Sequence, residues 1–511
     1  MEQVRTPPRF RFALGSLAAL LAVVWACSSN APTSDGARRG TGGSPGGTSA
    51  QAGGASALGG ALGGSALAAG SANASGGAAA SANASGGAAG SVTSAGGAGG
   101  VAGSSGPGMG GSAGHSGSAG SAGSAVCGAP RPVIFSKNIR VNDDTGNGNQ
   151  AEVTLATGPG GLAAAAWGDS RAERTCTFSV TKDGGLTWSK NVAIKNVSGQ
   201  FVGDPAVAID AGGTIYAVCQ EYVDVGKTGN IRLMTSSDQG GSWSEVRSIQ
   251  NAPDKPWAGG GDSAGTLFVS WLGNPGGIKR STNQGQTWGP TQSLGNIIHG
   301  TAIVTGTSGL VHVPYNLDSN NNQLRYLRSI DGGSSWEKAR DLMPDMGAFC
   351  FDCSPRQHPI VGAASDPTGE TVAITWTSRM PGGEGDDDVW LLFSKDGGSS
   401  WSKPLRVNDN AERSRQFQSW VAVDGCGRVH LAWTDLRNGQ NEVWYARSAD
   451  PTRGFEPNLQ VTDGRGSAQS EFLGDYKGLV VQGSDVLVVW QDTRRDSGDI
   501  YFARAQGAAA P

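Results

Sequence analysis

The stretch Ser394-Lys-Asp-Gly-Gly-Ser-Ser-Trp401 recurs in near-identical form along this 511-residue chain. Its relatives are TKDGGLTW from Thr181, SSDQGGSW from Ser236, STNQGQTW from Ser281 and SIDGGSSW from Ser329, with a decayed SADPTRGF from Ser448. Their closing aromatic residues, at steps of 45 to 65 residues, are Trp188, Trp243, Trp288, Trp336, Trp401 and Phe455. A period of this size indicates a repeat architecture.

Each repeat contains short segments of strand-like composition and no long helical period. Around the Ser394 copy they read HPIVGAA, ETVAITW, DVWLLFS and KPLRVN, rich in β-branched and aromatic residues. The motif falls between the third and fourth segments, where its Asp can accept turn hydrogen bonds, its glycines permit positive φ and its Trp can pack between sheets. Four strands per unit predict an all-β fold, a β-propeller of four-stranded blades.

A second pattern closes the second strand of several units. It reads WGDSR from Trp167, WTSR from Trp376, WTDLR from Trp433 and WQDTR from Trp490, with Trp271 in the same place. The spacing of these landmarks predicts seven blades, with six as the alternative. The last unit has three strands, so the front segment RPVIFSKNIRVN from Arg131 is predicted to complete it and close the ring without a free edge.

The first 126 residues differ in kind from the rest. An arginine-rich start and an apolar run from Phe12 to Ala26 lead to Cys27, which resembles a bacterial lipoprotein signal; an ordinary signal peptide or an uncleaved anchor remains the alternative. Residues 28–126 are nearly all Gly, Ala and Ser and predict a disordered tether. We therefore expect a signal peptide over 1–27 ending at a lipidated Cys27, a tether over 28–126 and a propeller over 127–507, exported and anchored at the outer membrane.

Composition and cysteine count limit the partners. A net charge of −4 with interspersed signs predicts no nucleic-acid partner, and we expect a monomer that meets the membrane only through its lipid. The spacing of histidines and cysteines predicts no metal and no cofactor. Six cysteines follow Cys27, an even number suited to an oxidising compartment. The candidate disulfides are Cys350 with Cys353, Cys176 with Cys219, and Cys127 with Cys426.

The eight-residue units resemble the Asp boxes, or BNR repeats, of the sialidase superfamily of β-propellers, over about Pro132 to Arg504. In that family the Asp box is a structural turn on the face opposite the active site. The resemblance implies a sialidase-like glycoside hydrolase, an exo-glycosidase on terminal acidic sugars of glycans. The family's Arg-Ile-Pro signature is absent here, and its enzymes are typically six-bladed. The box residues are Asp183, Trp188, Asp238, Trp243, Asn283, Trp288, Asp331, Trp336, Asp396 and Trp401.

The face that carries the W-x-D-x-R endings and the interblade turns is the predicted binding face, which we call the mouth. Its substrate-binding candidates are Arg171, Arg379, Arg437, Arg494, Asp435 and Asp492. The catalytic candidates implied by the resemblance are Tyr476 or Tyr315 as nucleophile, Glu221 as its base and Asp169 as acid. Tyr222 and the interblade residues Asp204, Asp254, His299, His358 and Asp475 are expected nearby. Ion pairs within each loop would equally explain the repeated D-x-R, and a non-catalytic propeller that binds glycan or surface protein is the alternative function.

Overall fold

The computed structural model describes residues 127–509, apart from 130, 147, 171–173, 195–200, 223–228, 253, 318–321, 351–352, 354, 357, 359, 381–386, 412 and 468–471. Its regular structure is almost entirely strand, with short 3-10 turns at Pro159–Gly161 and Pro451–Arg453. No helix in this part of the chain has the length and apolar character needed to cross a bilayer. Cys27, the predicted tether and Arg171 lie outside the described residues.

Short strands follow one another along the described chain. They are β1 (Ile139–Arg140), β2 (Gln150–Thr157), β3 (Ala163–Asp169), β4 (Thr175–Thr181), β5 (Val192–Ile194), β6 (Phe201–Ile209), β7 (Ile215–Tyr222), β8 (Gly229–Ser236), β9 (Arg247–Ala252), β10 (Asp254–Gly260), β11 (Leu267–Ser281), β12 (Gln292–Thr301), β13 (Val304–Thr305), β14 (Val311–Leu317), β15 (Gln323–Ser329), β16 (Arg340–Met343), β17 (Gly362–Ser365), β18 (Val372–Ser378), β19 (Asp388–Ser394), β20 (Leu405–Arg406), β21 (Gln416–Val423), β22 (Val429–Asp435), β23 (Glu442–Ser448), β24 (Leu459–Gln460), β25 (Gly478–Gln482), β26 (Asp485–Asp492) and β27 (Asp499–Ala505).

The sheets have the propeller arrangement that the repeats predict. Four-stranded sheets form in chain order from β2 to β5, β6 to β9, β17 to β20 and β21 to β24, and a fifth joins β25, β26, β27 and β1. The strands β10 to β16 form one seven-stranded sheet, which holds two copies of the repeated motif. Seven chain segments line a central cavity of about 280 Å³: 154–157, 206–209, 257–260, 302–305, 363–365, 420–423 and 479–481. We keep seven as the predicted number of blades.

The ring closes through the front strand, as predicted. Strand β1 pairs antiparallel with β27, Ile139 opposite Phe502, and Phe135 bridges Ala505. The first described residues therefore complete the sheet formed by the last ones. This pairing covers the outer edge of β27, which would otherwise expose unpaired backbone groups.

The repeated motif forms the same turn between third and fourth strands each time. In the Ser394 copy, Asp396 Oδ1 accepts hydrogen bonds from Ser394 Oγ at 2.7 Å and from the Ser400 N–H at 2.8 Å, and Oδ2 accepts from Ser400 Oγ at 2.6 Å. Gly398 has a φ of +77°, and a Cβ there would lie 2.0 Å from the Tyr326 hydroxyl oxygen. The turn is therefore pressed against the preceding blade, where only glycine fits.

The motif tryptophans pack on the preceding sheet. Trp401 meets Tyr326 edge-on with ring centroids 5.1 Å apart, and Trp188 meets Phe502 across the ring closure at 5.4 Å. Such aromatic contacts stabilise neighbouring sheets beyond the area they bury. The motif is thus a structural contact between blades.

Three disulfides cross-link the domain and confirm the predicted pairs. They are Cys127–Cys426, Cys176–Cys219 and Cys350–Cys353. Disulfides persist in oxidising surroundings, so they point to an extracytoplasmic protein.

Candidate functional site

The mouth is built by β-bulges in the innermost strands. In β2, β6, β10 and β21 the pairing register shifts within the first few residues. The bulged residues have positive φ: Glu152 at +59°, Asp204 at +46°, Lys255 at +41° and Gln418 at +54°. A bulge re-aims its side chain, and such strained backbone clusters at functional sites.

Lys255 lies at the centre of the side chains that these bulges bring together. Its Nζ is 2.7 Å from Asp475 Oδ2, 3.0 Å from Asp204 Oδ1 and 3.6 Å from Glu152 Oε1. Glu152 belongs to β2 and Asp204 to β6, whereas Asp475 lies in the segment before β25. All four side chains are at most 5% exposed, so the mouth contains a dry acidic cluster around one ammonium group.

The segment between β16 and β17 reaches over to the same cluster. Its Arg356 Nη2 lies 3.0 Å from Asp475 Oδ2, and its His358 Nε2 lies 3.7 Å from Asp475 Oδ1. The Cys350–Cys353 disulfide precedes both residues. Arg356 is 16% exposed, which places a positive charge on the more open side of the cluster.

A tyrosine lies between two carboxyl groups on the other side of Lys255. The Tyr222 hydroxyl is in hydrogen-bonding contact with Asp204 Oδ2 and, at 2.5 Å, with Asp254 Oδ1. A hydroxyl has one hydrogen to donate, so one carboxyl must be protonated and donate to it instead. Burial raises the pKa of Asp204 well above its ordinary value despite Lys255. Asp204 therefore carries the proton, and Tyr222 donates to Asp254.

The pKa values of the two remaining acids of the cluster, Glu152 and Asp475, are shifted in opposite directions. Burial raises the pKa of Glu152 to about 7, against the attraction of Lys255. Burial also opposes the charge of Asp475, but Lys255, His358 and Arg356 together hold its pKa below the usual range. Environments that push paired pKa values apart mark acid and base partners. Near neutral pH, Glu152 can therefore donate a proton while Asp475 stays ionised.

An aromatic layer lies below the acids. The Trp257 ring packs against Trp420 at 5.4 Å and against Tyr476 at 5.2 Å between centroids, and both tryptophans also line the central cavity. Burial and neighbouring acids raise the pKa of Tyr476 well above its ordinary value. Among the described residues, no group of three or more His, Cys, Asp or Glu is arranged to hold a metal.

Two of the predicted substrate-binding arginines join neighbouring blades. Arg437 Nη2 lies 2.8 Å from Asp435 of its own loop, and its Nη1 lies 2.8 Å from Asp409, which follows the preceding sheet. Arg494 repeats this with Asp492 at 2.8 Å and Asp463 at 2.6 Å. Asp435 also accepts a hydrogen bond from the indole N–H of Trp433, and Asp492 accepts one from the indole N–H of Trp490. Ion pairs within the loops therefore explain this part of the W-x-D-x-R pattern.

The other predicted residues are also held by separate partners. Arg379 is 46% exposed and lies 3.8 Å from Asp387; it shares no partner with Arg437 or Arg494. Glu221 pairs with Arg232 of the next strand. The Tyr476 hydroxyl donates to the Pro205 carbonyl at 3.3 Å.

No tyrosine–glutamate pair joins the predicted catalytic residues in the described part of the chain. Tyr315 is 1% exposed within the core between β11 and β14. Asp169 is buried at the end of β3, with Gln150 Nε2 3.5 Å from its Oδ1. The arrangement expected of Tyr476 or Tyr315 with Glu221 is instead formed by Tyr222 with Asp204 and Asp254.

The interblade residues, by contrast, meet at the mouth as expected. Asp204, Asp254 and Asp475 belong to the cluster, and the His299 and His358 rings lie 5.6 Å apart beside it. Sequence reasoning missed Glu152, Lys255 and Arg356. The bulge positions hold Glu, Asp, Lys and Gln in different blades, so no repeated residue type marks them.

Comparisons with known proteins give distant similarity. No protein-family model matches the chain. The xyloglucanase Xgh74A of Acetivibrio thermocellus is 26% identical over 213 residues, which cover 36% of this chain and 22% of the xyloglucanase; the match therefore spans about a fifth of that relative's length.

Two solved structures illustrate the structural neighbours. The NanB sialidase of Streptococcus pneumoniae aligns with a TM-score of 0.41 and 11% identity over 60% of this chain and 67% of its own. An ulvan lyase, a polysaccharide lyase, aligns with a TM-score of 0.46 and 11% identity over 73% of this chain and 96% of its own. Similarity at this level assigns neither a family nor an activity.

Proposed function

We propose that this protein is an exported glycan-active propeller, a glycoside hydrolase that removes terminal acidic sugars at the mouth. The observation that carries the proposal is the Tyr222 hydroxyl held between Asp204 and Asp254, in a cluster where burial raises the pKa of Glu152 to about 7. A carboxylate-backed tyrosine is the nucleophile that the sialidase resemblance implies. A protonated carboxyl is the general acid that glycosidic cleavage needs.

The chemistry follows from these protonation states. Tyr222 attacks the anomeric carbon and passes its proton to Asp254, while Glu152 protonates the departing glycosidic oxygen. Water then attacks the same carbon and displaces the Tyr222 oxygen, so that the bond from the carbon to Tyr222 breaks. The Glu152 carboxylate takes a proton from that water, and the released Tyr222 oxygen regains its proton from Asp254. Arg356 supplies the positive charge that would attract the acidic group of the sugar.

A second candidate is a propeller that binds glycan or protein at the mouth without turnover. Its support is the burial of the acids: Glu152 is 2% exposed and Asp204 is 1% exposed. Access would then stop at the outer residues Tyr222, Asp254 and Arg356. The use of Arg437 and Arg494 as interblade contacts also favours this candidate.

Turnover assays with matched variants separate the two candidates. The purified protein would be tested on fluorogenic glycosides that include a sialoside, a glucuronide and, because of the xyloglucanase similarity, a xyloglucan oligosaccharide. We expect Tyr222→Phe and Glu152→Gln each to lower kcat about 100-fold or more. Tyr501→Phe, on β27 outside the mouth, should leave the rate unchanged. Glycan binding without turnover that these two variants alter would favour the second candidate.

The pH dependence tests the role of Glu152. A general acid with a pKa of about 7 loses its proton as the pH rises, so kcat/KM should fall with a midpoint near pH 7. Glu152→Gln should abolish this alkaline limb. Persistence of the same midpoint in the residual activity of Glu152→Gln would assign the limb to another group.

The anchor is part of the proposal. We infer a lipid at Cys27 and an outer-membrane location, supported by the signal-like start of the sequence and by disulfides that require export. Cys27→Ser should release the protein from the membrane fraction and remove incorporated radiolabelled palmitate. Unchanged membrane association would indicate another anchor.

A further inference from the structure

We propose that Lys255 is a positioning residue of the mouth, whose ammonium group sets both the geometry and the proton count of the surrounding acids. For its effect on rate this inference rests on the proposed hydrolase function. For its effect on stability it stands without that function.

The geometry makes Lys255 a neighbour common to both halves of the site. Its Nζ touches Asp204, which contacts the Tyr222 hydroxyl, and Asp475, which lies beside Glu152. An ammonium group has three hydrogens to donate, and three carboxyl groups lie within 3.6 Å of Nζ. These carboxyl groups come from β2, from β6 and from the segment before β25, so Lys255 joins three separate parts of the chain.

The charge of Lys255 offsets the cost of burying so many acids. Glu152, Asp204 and Asp475 are at most 4% exposed, and buried carboxylates without a cation take up protons. Asp254 adds an adjacent carboxyl group, while Arg356 and His358 face Asp475 from its other side. Without Lys255, Asp204 and Glu152 would lose their nearest described cation.

The backbone at Lys255 supports a functional role. Its φ of +41° lies in the left-handed region, which is a strained conformation for a lysine. An extended backbone without the bulge would direct the side chain elsewhere. The strained conformation is what carries Nζ to the acids.

Thermal unfolding of the full chain at two pH values tests this role. In Lys255→Met the acids lose their cation, so their folded pKa values rise. The resulting loss of stability is present above those values and disappears as the pH falls below the unfolded values near 4. We expect the loss of Tm relative to the unsubstituted protein to be less than half as large at pH 4.5 as at pH 8. Lys255→Arg, which keeps the charge, should show no such pH dependence.

A second variant protects the test against misfolding. Asp475→Asn in the Lys255→Met background removes the carboxyl group that stays ionised beside position 255 and should recover part of the Tm at pH 8. An equal loss of Tm at both pH values, together with no recovery in the double variant, would reduce Lys255 to a space-filling role and overturn the inference.

The kinetic arm separates this inference from the proposed function. Because Lys255 opposes the rise in the pKa of Glu152, Lys255→Met should shift the alkaline midpoint of kcat/KM upward by about one pH unit, with KM nearly unchanged. If the unsubstituted protein turns over no glycoside, the proposed function fails while the two unfolding tests still decide the role of Lys255. An unshifted midpoint in an active Lys255→Met variant would contradict the inference.

Discussion

At the scale of single residues, the repeated aspartate stabilises the turn in which it lies. Hydrogen bonds from Ser400 and Ser394 lower the pKa of Asp396 to about 2, although the carboxylate is exposed. The chain contains a natural variant of this position, because Asn283 occupies it in another copy and accepts from the Thr287 N–H at 2.9 Å. An amide oxygen is therefore enough to hold the turn, and the negative charge is not essential to it.

This comparison yields a stability prediction. We expect Asp396→Ala to lower the free energy of unfolding by about 1–3 kcal/mol, since three hydrogen bonds are lost, and Asp396→Asn to cost less than half of that. Denaturant unfolding measured by tryptophan fluorescence would check the difference. Equal losses would mean that the charge, rather than the accepting oxygen, holds the turn.

At the scale of elements, the ring depends on a short closing strand. Strand β1 contains two residues, and Arg494 reinforces its approach: Nη2 donates to Asn138 Oδ1 at 3.0 Å while Nη1 contacts Asp463. Arg437 makes the corresponding contacts with Asn458 and Asp409 in the preceding blade, where all four strands are consecutive in the chain. The same set of arginine contacts is therefore present in two blades, and these blades differ in how easily a strand can detach.

This difference predicts a selective effect on proteolysis. Arg494→Ala should loosen β1 and speed trypsin cleavage after Lys137 and Arg140 by about tenfold, because each kcal/mol lost in local opening raises the open population about fivefold. Arg437→Ala, which removes the same kind of arginine contacts, should leave those two cleavages unchanged. Identical digestion of both variants would show that the Arg494 contacts do not hold β1 in the sheet.

At the scale of the whole molecule, one disulfide joins the first described residues of the domain to the β21–β22 turn, which is far away in the sequence. Cys127 and Cys426 are 299 residues apart, so their bond restricts the unfolded chain far more than Cys350–Cys353, whose partners are 3 apart. In addition, Arg428 donates to the Gly128 carbonyl at the same place. The segment that leads into the closing strand β1 is therefore attached to the β21–β22 turn.

The length of the loop that each disulfide closes predicts how much that disulfide contributes to the free energy of unfolding. Replacing Cys127 and Cys426 by Ser should cost up to about 5 kcal/mol, and replacing Cys350 and Cys353 about 2 kcal/mol, by loop-closure entropy. The Tm values of the two double variants, compared in oxidising buffer, would test this order. A larger loss for the Cys350/Cys353 pair would mean that its contact with the mouth segment outweighs chain entropy.

Much of the architecture followed from local patterns in the sequence. Turn chemistry repeated at a steady interval identifies strands and their order, and the leftover front strand predicts the ring closure observed between Ile139 and Phe502. The even cysteine count and the face of each turn permitted the pair Cys127 with Cys426, which the structure contains. These features are predictable because each depends on residues close in the chain or on the rule that a sheet edge must be covered.

The sequence by itself therefore determined the propeller and its closing strand, and it predicted the face of the candidate site. Only the tertiary structure decided which side chains form that site. Lys255 and Asp475 are 220 residues apart in the chain, and bulges turn Glu152, Asp204 and Lys255 toward one another. A bulge is a shift in pairing between strands, and the charge state of a buried acid depends on neighbours from other sheets. Neither has a local signature, so a lysine that the sequence left unmarked became the centre of the mouth.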